Sequence, residues 1–171
     1  MKICIALIVT FIAAPAFADT PLPPPEKLTI CSSAGTVCAT SDPATDVTLL
    51  SSQTSRHKPW AIPGWHRWLF VSDDGESLVA GYSGMNLVPI DVTLKEPVLF
   101  FYNKGRLVRT ITLGDLYQRK SQLRRTVSHF AWVHTTGINR ANQLVLELVN
   151  GKQVAFAVST GQAQPLIPEG T

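Results

Sequence analysis

A nine-residue phrase is written twice in this chain. Ile30-Cys31-Ser32-Ser33-Ala34-Gly35-Thr36-Val37-Cys38 lies on Phe70-Val71-Ser72-Asp73-Asp74-Gly75-Glu76-Ser77-Leu78 without a gap. Each copy is an apolar pair, a polar turn ending in Gly, and a return to apolar residues. A looser third copy runs from Trp132 to Gly137, with a polar insertion before Leu144-Val145. Such phrases specify antiparallel hairpins, because Gly adopts the positive φ that a tight turn needs. A chain that repeats its hairpins is directed toward stacked antiparallel sheets.

The remaining strand signals agree. Runs rich in Val, Ile, Thr and aromatics occur at Leu28–Cys31, Thr36–Thr40, Asp46–Ser51, His66–Ser72, Ser77–Tyr82, Val98–Tyr102, Arg106–Ile111, His129–Thr135, Gln143–Val149 and Gln153–Val158,. Tyr102-Asn103-Lys104-Gly105-Arg106 and Val149-Asn150-Gly151-Lys152 read as hairpin turns, the Asn-Gly pair being the stronger signal,. Arg67-Trp68-Leu69-Phe70-Val71 hardly alternates, which places it in the middle of a packed sheet,. One amphipathic helix is expected from Leu113 to Arg125. Thr112 and Asp115 form a capping box there, and Leu113, Leu116, Tyr117 and Leu123 mark an apolar side,. The expectation is a mainly β fold of about ten strands with that single helix,.

The N-terminus bounds the compartment. Lys2 precedes an uncharged, mostly apolar run, and Ala16-Phe17-Ala18 fits a small-residue cleavage site, so residues 1–18 read as a secretory signal peptide cut before Asp19,. The uncharged stretch Ile3–Ala18 is 16 residues long. A spanning helix needs about 20. The lone-Lys leader has a bacterial look, and the expected location is the periplasm or the outside medium, in soluble form without a transmembrane segment. Residues 19–26, with four prolines, read as an extended spacer, 27–160 as one β-rich domain, and 161–171 as a flexible tail,. Cys4 leaves with the leader. Cys31 and Cys38 remain, an even number for an oxidising compartment, and the hairpin turn sets them opposite each other on one side of the ladder,. A disulfide between them is the expectation.

The repeat resembles the blades of the β-propeller superfamilies. The resemblance rests on Val71-Ser72-Asp73-Asp74-Gly75 and on Phe101-Tyr102-Asn103-Lys104-Gly105-Arg106, and spans about half of the mature chain,. Propellers close with about four blades or more, and this chain has room for about three,. The resemblance therefore implies an open stack of sheets, or a ring completed by further copies in a homo-oligomer.

Catalytic motifs are absent from the sequence: no nucleophile elbow, phosphate-binding glycine loop or HExxH occurs,. The histidines are His57, His66, His129 and His134. His129 and His134 lie five apart on a strand and diverge, so no metal is assigned, and no cofactor is expected,. Ser128 and His129, adjacent on a strand, should diverge as well. Asp73, Asp74 and Glu76 cluster at a hairpin tip; they suit turn formation, and they are also the acids a rival reading as a secreted hydrolase would use,.

Two features suit binding. Between Lys104 and Arg125 there are seven basic residues against one acid, Asp115, while the whole chain is only +3, so the rest is net negative. Arg119, Lys120, Arg124 and Arg125 on a basic helix face could meet an anionic envelope component or an acidic protein; nucleic acid is not an expected partner outside the cytoplasm. Trp60 and Trp65 flank a Pro-Gly turn, where they either stack on a ligand or plug the end of a sheet,. The functional expectation is an exported, non-catalytic binding or structural protein.

Overall fold

The computed structural model describes residues 22–52 and 58–167. The expected leader and His57 lie outside the described residues. Fifteen strands are present among those described, one α-helical turn and one 3-10 turn, confirming the mainly β class and exceeding the expected strand number.

Three four-stranded antiparallel meanders form the body. The first sheet comprises β1 (Leu28–Cys31), β2 (Val37–Asp42), β3 (Val47–Ser52) and β4 (Trp60–Pro63). The second has β5 (Leu69–Val71), β6 (Ser77–Gly81), β8 (Pro97–Asn103) and β9 (Arg106–Thr112). The third holds β12 (Val133–Ile138), β13 (Gln143–Leu148), β14 (Gln153–Ala157) and β15 (Ala163–Gln164). A small sheet of order β10-β11-β7 completes the structure, from β7 (Leu87–Pro89), β10 (Arg124–Arg125) and β11 (His129–Ala131). The described residues form no closed ring of blades. Among them no helix is long and apolar enough to cross a membrane.

The second sheet is the middle layer. Leu69, Val71, Leu78 and Ala80 on one face pack with Val37, Ala39, Leu50 and Ile62 of the first sheet. Val79, Leu99 and Phe101 on the other face join Leu144, Leu146, Leu148 and Phe156 of the third. Burial on both faces explains why this stretch does not alternate. Trp68 packs so closely on β6 that a Cβ at Gly81 would lie 2.6 Å from its ring, so only glycine fits there.

The repeat is visible as hydrogen bonds. Ser32 N–H donates to Val37 O at 2.8 Å and Gly35 N–H to Ser32 O at 2.9 Å. Ser72 N–H donates to Ser77 O at 3.2 Å and Gly75 N–H to Ser72 O at 3.2 Å. The third turn lies later than expected. Gly137 sits inside β12 opposite Val145, and the bend is made by Asn139 and Asn142, with Asn142 N–H donating to Asn139 O at 3.0 Å. Asn142, at φ 56°, takes the role of the glycine,. The two later turns also trade places with expectation. Lys104 and Gly105 both have positive φ, the type I′ requirement, whereas in Asn150-Gly151 only the glycine does,.

Cys31 and Cys38 are direct partners in the β1–β2 register and are disulfide-bonded. Because residues 32 and 37 form the hydrogen-bonded pair, the cysteines occupy the closer, non-hydrogen-bonded pair, with Cα atoms 3.9 Å apart,.

The expected helix over 113–125 is corrected. Thr112 N–H and Oγ1 both donate to Asp115 Oδ2, at 2.8 and 2.9 Å, so the capping box forms. The α-helix α1 nevertheless spans only Leu113–Leu116, ending at Tyr117 in extended conformation (φ −131°, ψ 137°). A 3-10 turn follows at Lys120–Gln122, and Arg124–Arg125 are a strand. A full helix would hold a cluster of cations with one acid to pair them and a glycine in its first turn, both unfavourable. The apolar positions are buried all the same. Tyr117 hydroxyl donates to the Trp132 carbonyl and accepts from Val149 N–H at 3.3 Å, an anchor that draws the chain off the helical path.

Residues 161–167, expected to trail off, are tied to the third sheet. Ala163 and Gln164 pair with β14, and Gln143 Nε2 donates to Pro165 O at 2.9 Å while its Oε1 accepts from Ile167 N–H at 3.0 Å.

Replacing both Cys31 and Cys38 with Ser should lower stability in urea denaturation by about 2 kcal/mol, the modest value for so short a loop. Burial holds the Tyr117 phenol up at about 12. Its neutral form is the one the fold favours, so its contribution is complete below pH 10 and is lost as pH rises from 10 through 12. Stability measured across that window should fall by an amount on the order of 2 kcal/mol from this group. Tyr117→Phe should flatten that loss and cost about 1–3 kcal/mol at pH 8 by orphaning its partners.

Candidate functional site

The acidic hairpin tip is built as a turn. Asp74 Oδ1 accepts from Glu76 N–H at 2.8 Å and from the buried Ser72 hydroxyl at 2.5 Å, and Ser72 Oγ accepts from Ser77 N–H at 3.1 Å. Asp73 Oδ1 accepts from Ala34 N–H at 2.8 Å and thereby ties the first repeat's turn to the second's. Both carboxylates are exposed. In the first copy Ala34 stands where Asp74 does, and the matching hydroxyl, Ser32 Oγ, is buried with no hydrogen-bond partner among the described residues.

The basic segment does not form the expected helix face. Arg119 precedes the 3-10 turn, and Arg124 and Arg125 lie exposed on β10, where adjacent side chains diverge,. The structure brings Lys120 and Arg125 together on Phe130, with Lys120 Nζ 5.1 Å and Arg125 Cζ 5.3 Å from its ring centroid,. Lys120 Nζ also donates to the Ile90 carbonyl. The ion pairs among the described residues, Lys27–Asp42 and Lys104–Glu76, involve none of Arg119, Lys120, Arg124 and Arg125. Val127, 64% exposed, stands at the tip of the same β10–β11 hairpin. The sequence pointed to these cations by their number; Phe130, which organises two of them, carried no signal.

Ser128 is a correction. It lies at the bend rather than on a strand, and its hydroxyl is hydrogen-bonded to His129 Nδ1 at 2.8 Å, although divergence was expected. The pair is at an exposed bend. His66 Nε2 is hydrogen-bonded with Pro63 O at 3.1 Å, part of the turn. Among the described residues no three His, Cys, Asp or Glu side chains gather as a metal site.

Trp60 is a plug: half-buried against the core between the first and second sheets, its indole N–H donates to Gly75 O at 3.0 Å. Trp65 differs. It helps to line a cleft of about 300 Å³ with His66, Arg67, Tyr82, Glu96 and Phe100. Its indole N–H donates to Glu26 O at 2.8 Å, and the Arg67 guanidinium lies 5.0 Å from its ring centroid. Burial, reinforced by the carboxylates of Glu96 and Asp91, pushes the Tyr82 phenol up, so it remains a protonated donor,.

No protein-family profile, curated protein or solved structure matches this chain.

The comparison of the two turns gives a paired expectation. Asp74→Ala should destabilise by about 1 kcal/mol, and Ala34→Asp, by supplying Ser32 with its missing partner, should stabilise by about 1 kcal/mol in thermal or urea unfolding.

Proposed function

We propose that this is an exported, non-catalytic binding protein that contacts an anionic component of the cell envelope through Arg119, Lys120, Arg124 and Arg125. The observation that carries this reading is the absence of carboxylate partners for these four cations among the described residues, in a segment where bases outnumber acids seven to one. Unneutralised positive charge gathered in one segment raises the local potential and attracts polyanions. Export is supported by the leader-like N-terminus and by the Cys31–Cys38 disulfide, a bond that persists in oxidising compartments,. The turn bonds of Asp74 and Asp73 favour this reading over a secreted hydrolase. The three meanders are taken as blade-like units; the shared hydrogen-bond pattern of the first two opening turns favours that relation.

Substituting Arg119, Lys120, Arg124 and Arg125 together with Ser should abolish retention on anionic vesicles or heparin while leaving the circular dichroism unchanged. Retention of the parent protein should fall steeply as salt rises from about 0.05 M to about 0.5 M, as the screening length shortens. Unchanged retention in the fourfold variant defeats the assignment.

A further inference from the structure

We propose that the cleft beside Trp65 binds a small ring compound carrying both a carboxylate and hydroxyl groups, and that the segment 22–26 competes for that site. The argument rests on one edge of one guanidinium. Arg67 presents Nε–H and Nη2–H side by side, the pair that a carboxylate fills with two parallel hydrogen bonds. In this structure Nη2 donates to Pro23 O at 2.6 Å, while Nε is buried with no hydrogen-bond partner among the described residues. A single backbone carbonyl thus fills half of an edge built for two oxygens. Leaving an enclosed N–H without an acceptor is unfavourable, and exchanging the carbonyl for a carboxylate removes that defect.

The surroundings specify the rest of the ligand. The Trp65 ring, 5.0 Å from the Arg67 guanidinium carbon, attracts and restrains that group,. Phe100 contributes an aromatic wall to the cleft, Glu96 a carboxylate that accepts from hydroxyls, and Tyr82 a phenol that donates,. A bare hydrophobic acid would leave Glu96 unanswered, and a neutral sugar would leave Nε so. Uronic acids and hydroxylated aromatic acids both satisfy the set. The segment 22–26 holds two of the cleft's residues from beside it, Pro23 O accepting from Arg67 and Glu26 O from Trp65, both through backbone oxygens. It therefore acts as an internal stand-in that a better acceptor displaces.

Calorimetric titration with D-glucuronate, 4-hydroxybenzoate and D-glucose tests this on the parent protein and on a variant lacking Pro23–Pro25. One of the two acids should saturate and glucose should not; which acid binds identifies the source. The deletion should tighten binding by about tenfold, since it takes the Pro23 carbonyl off Arg67,. Arg67→Gln and Arg67→Lys should each weaken binding by on the order of ten- to hundredfold, Lys because it retains charge without the fork. The proposal is overturned if neither acid saturates the deletion variant, if Arg67→Lys leaves affinity unchanged, or if the deletion does not alter affinity. Should the Arg67 variants fail to fold, the deletion comparison alone decides.

Discussion

A sheet that is apolar on both faces cannot stand at a surface, and the rest of this structure follows from that constraint. The second meander presents Leu69, Val71, Leu78 and Ala80 to one side and Val79, Leu99 and Phe101 to the other. Each face requires a cover, which the first and third meanders supply, so three sheets are the least that this sequence can use. At roughly 25 cal/mol for each Å² of apolar surface removed from water, such two-sided burial outweighs any local preference of the flanking segments. Tyr117 shows this directly: its burial against Trp132 overrides a well-capped helix start after a single turn.

Much of this was legible because turns and registers are local. The Cys31–Cys38 and Val71–Leu78 pairings follow from counting outward from a glycine, and both are present in the register. The unalternating run at Arg67–Val71 announced its central position. What escaped was set by distant partners. The segment expected as one strand, His129–Thr135, divides at Trp132 into β11 and β12, because Trp132 donates to Met85 O and its own chain must turn inward to reach it. β7 and β10 are too short to carry a pattern, and each exists only as a neighbour of β11. Gly137 misled for the opposite reason: a glycine is as compatible with a strand opposite Val145 as with a bend.

The same division holds at the candidate binding surfaces. The surplus of positive charge between Lys104 and Arg125 could be counted, but its arrangement could not, since a helix and a strand distribute consecutive cations differently. Trp65 stood out as an aromatic beside a Pro-Gly turn. Arg67 did not, although it bears more of the cleft's chemistry. One arginine in the bend before β5 has no signature, and its significance comes from Pro23, a residue 44 positions earlier. Ser32 makes the converse point: it is readable as the counterpart of Ser72, and only its enclosure reveals that Ala34 leaves it unserved.

The small sheet joins the β10–β11 hairpin to β7, a strand remote from it in sequence, and a few ladder positions hold the three together. A short ladder opens locally at lower free energy than a long one, and its amides are then the sooner to exchange with solvent. The cations on β10 therefore ride on one of the shortest ladders among the described residues. Local opening there would free Arg124 and Arg125 to re-aim while the three-sheet body stays intact.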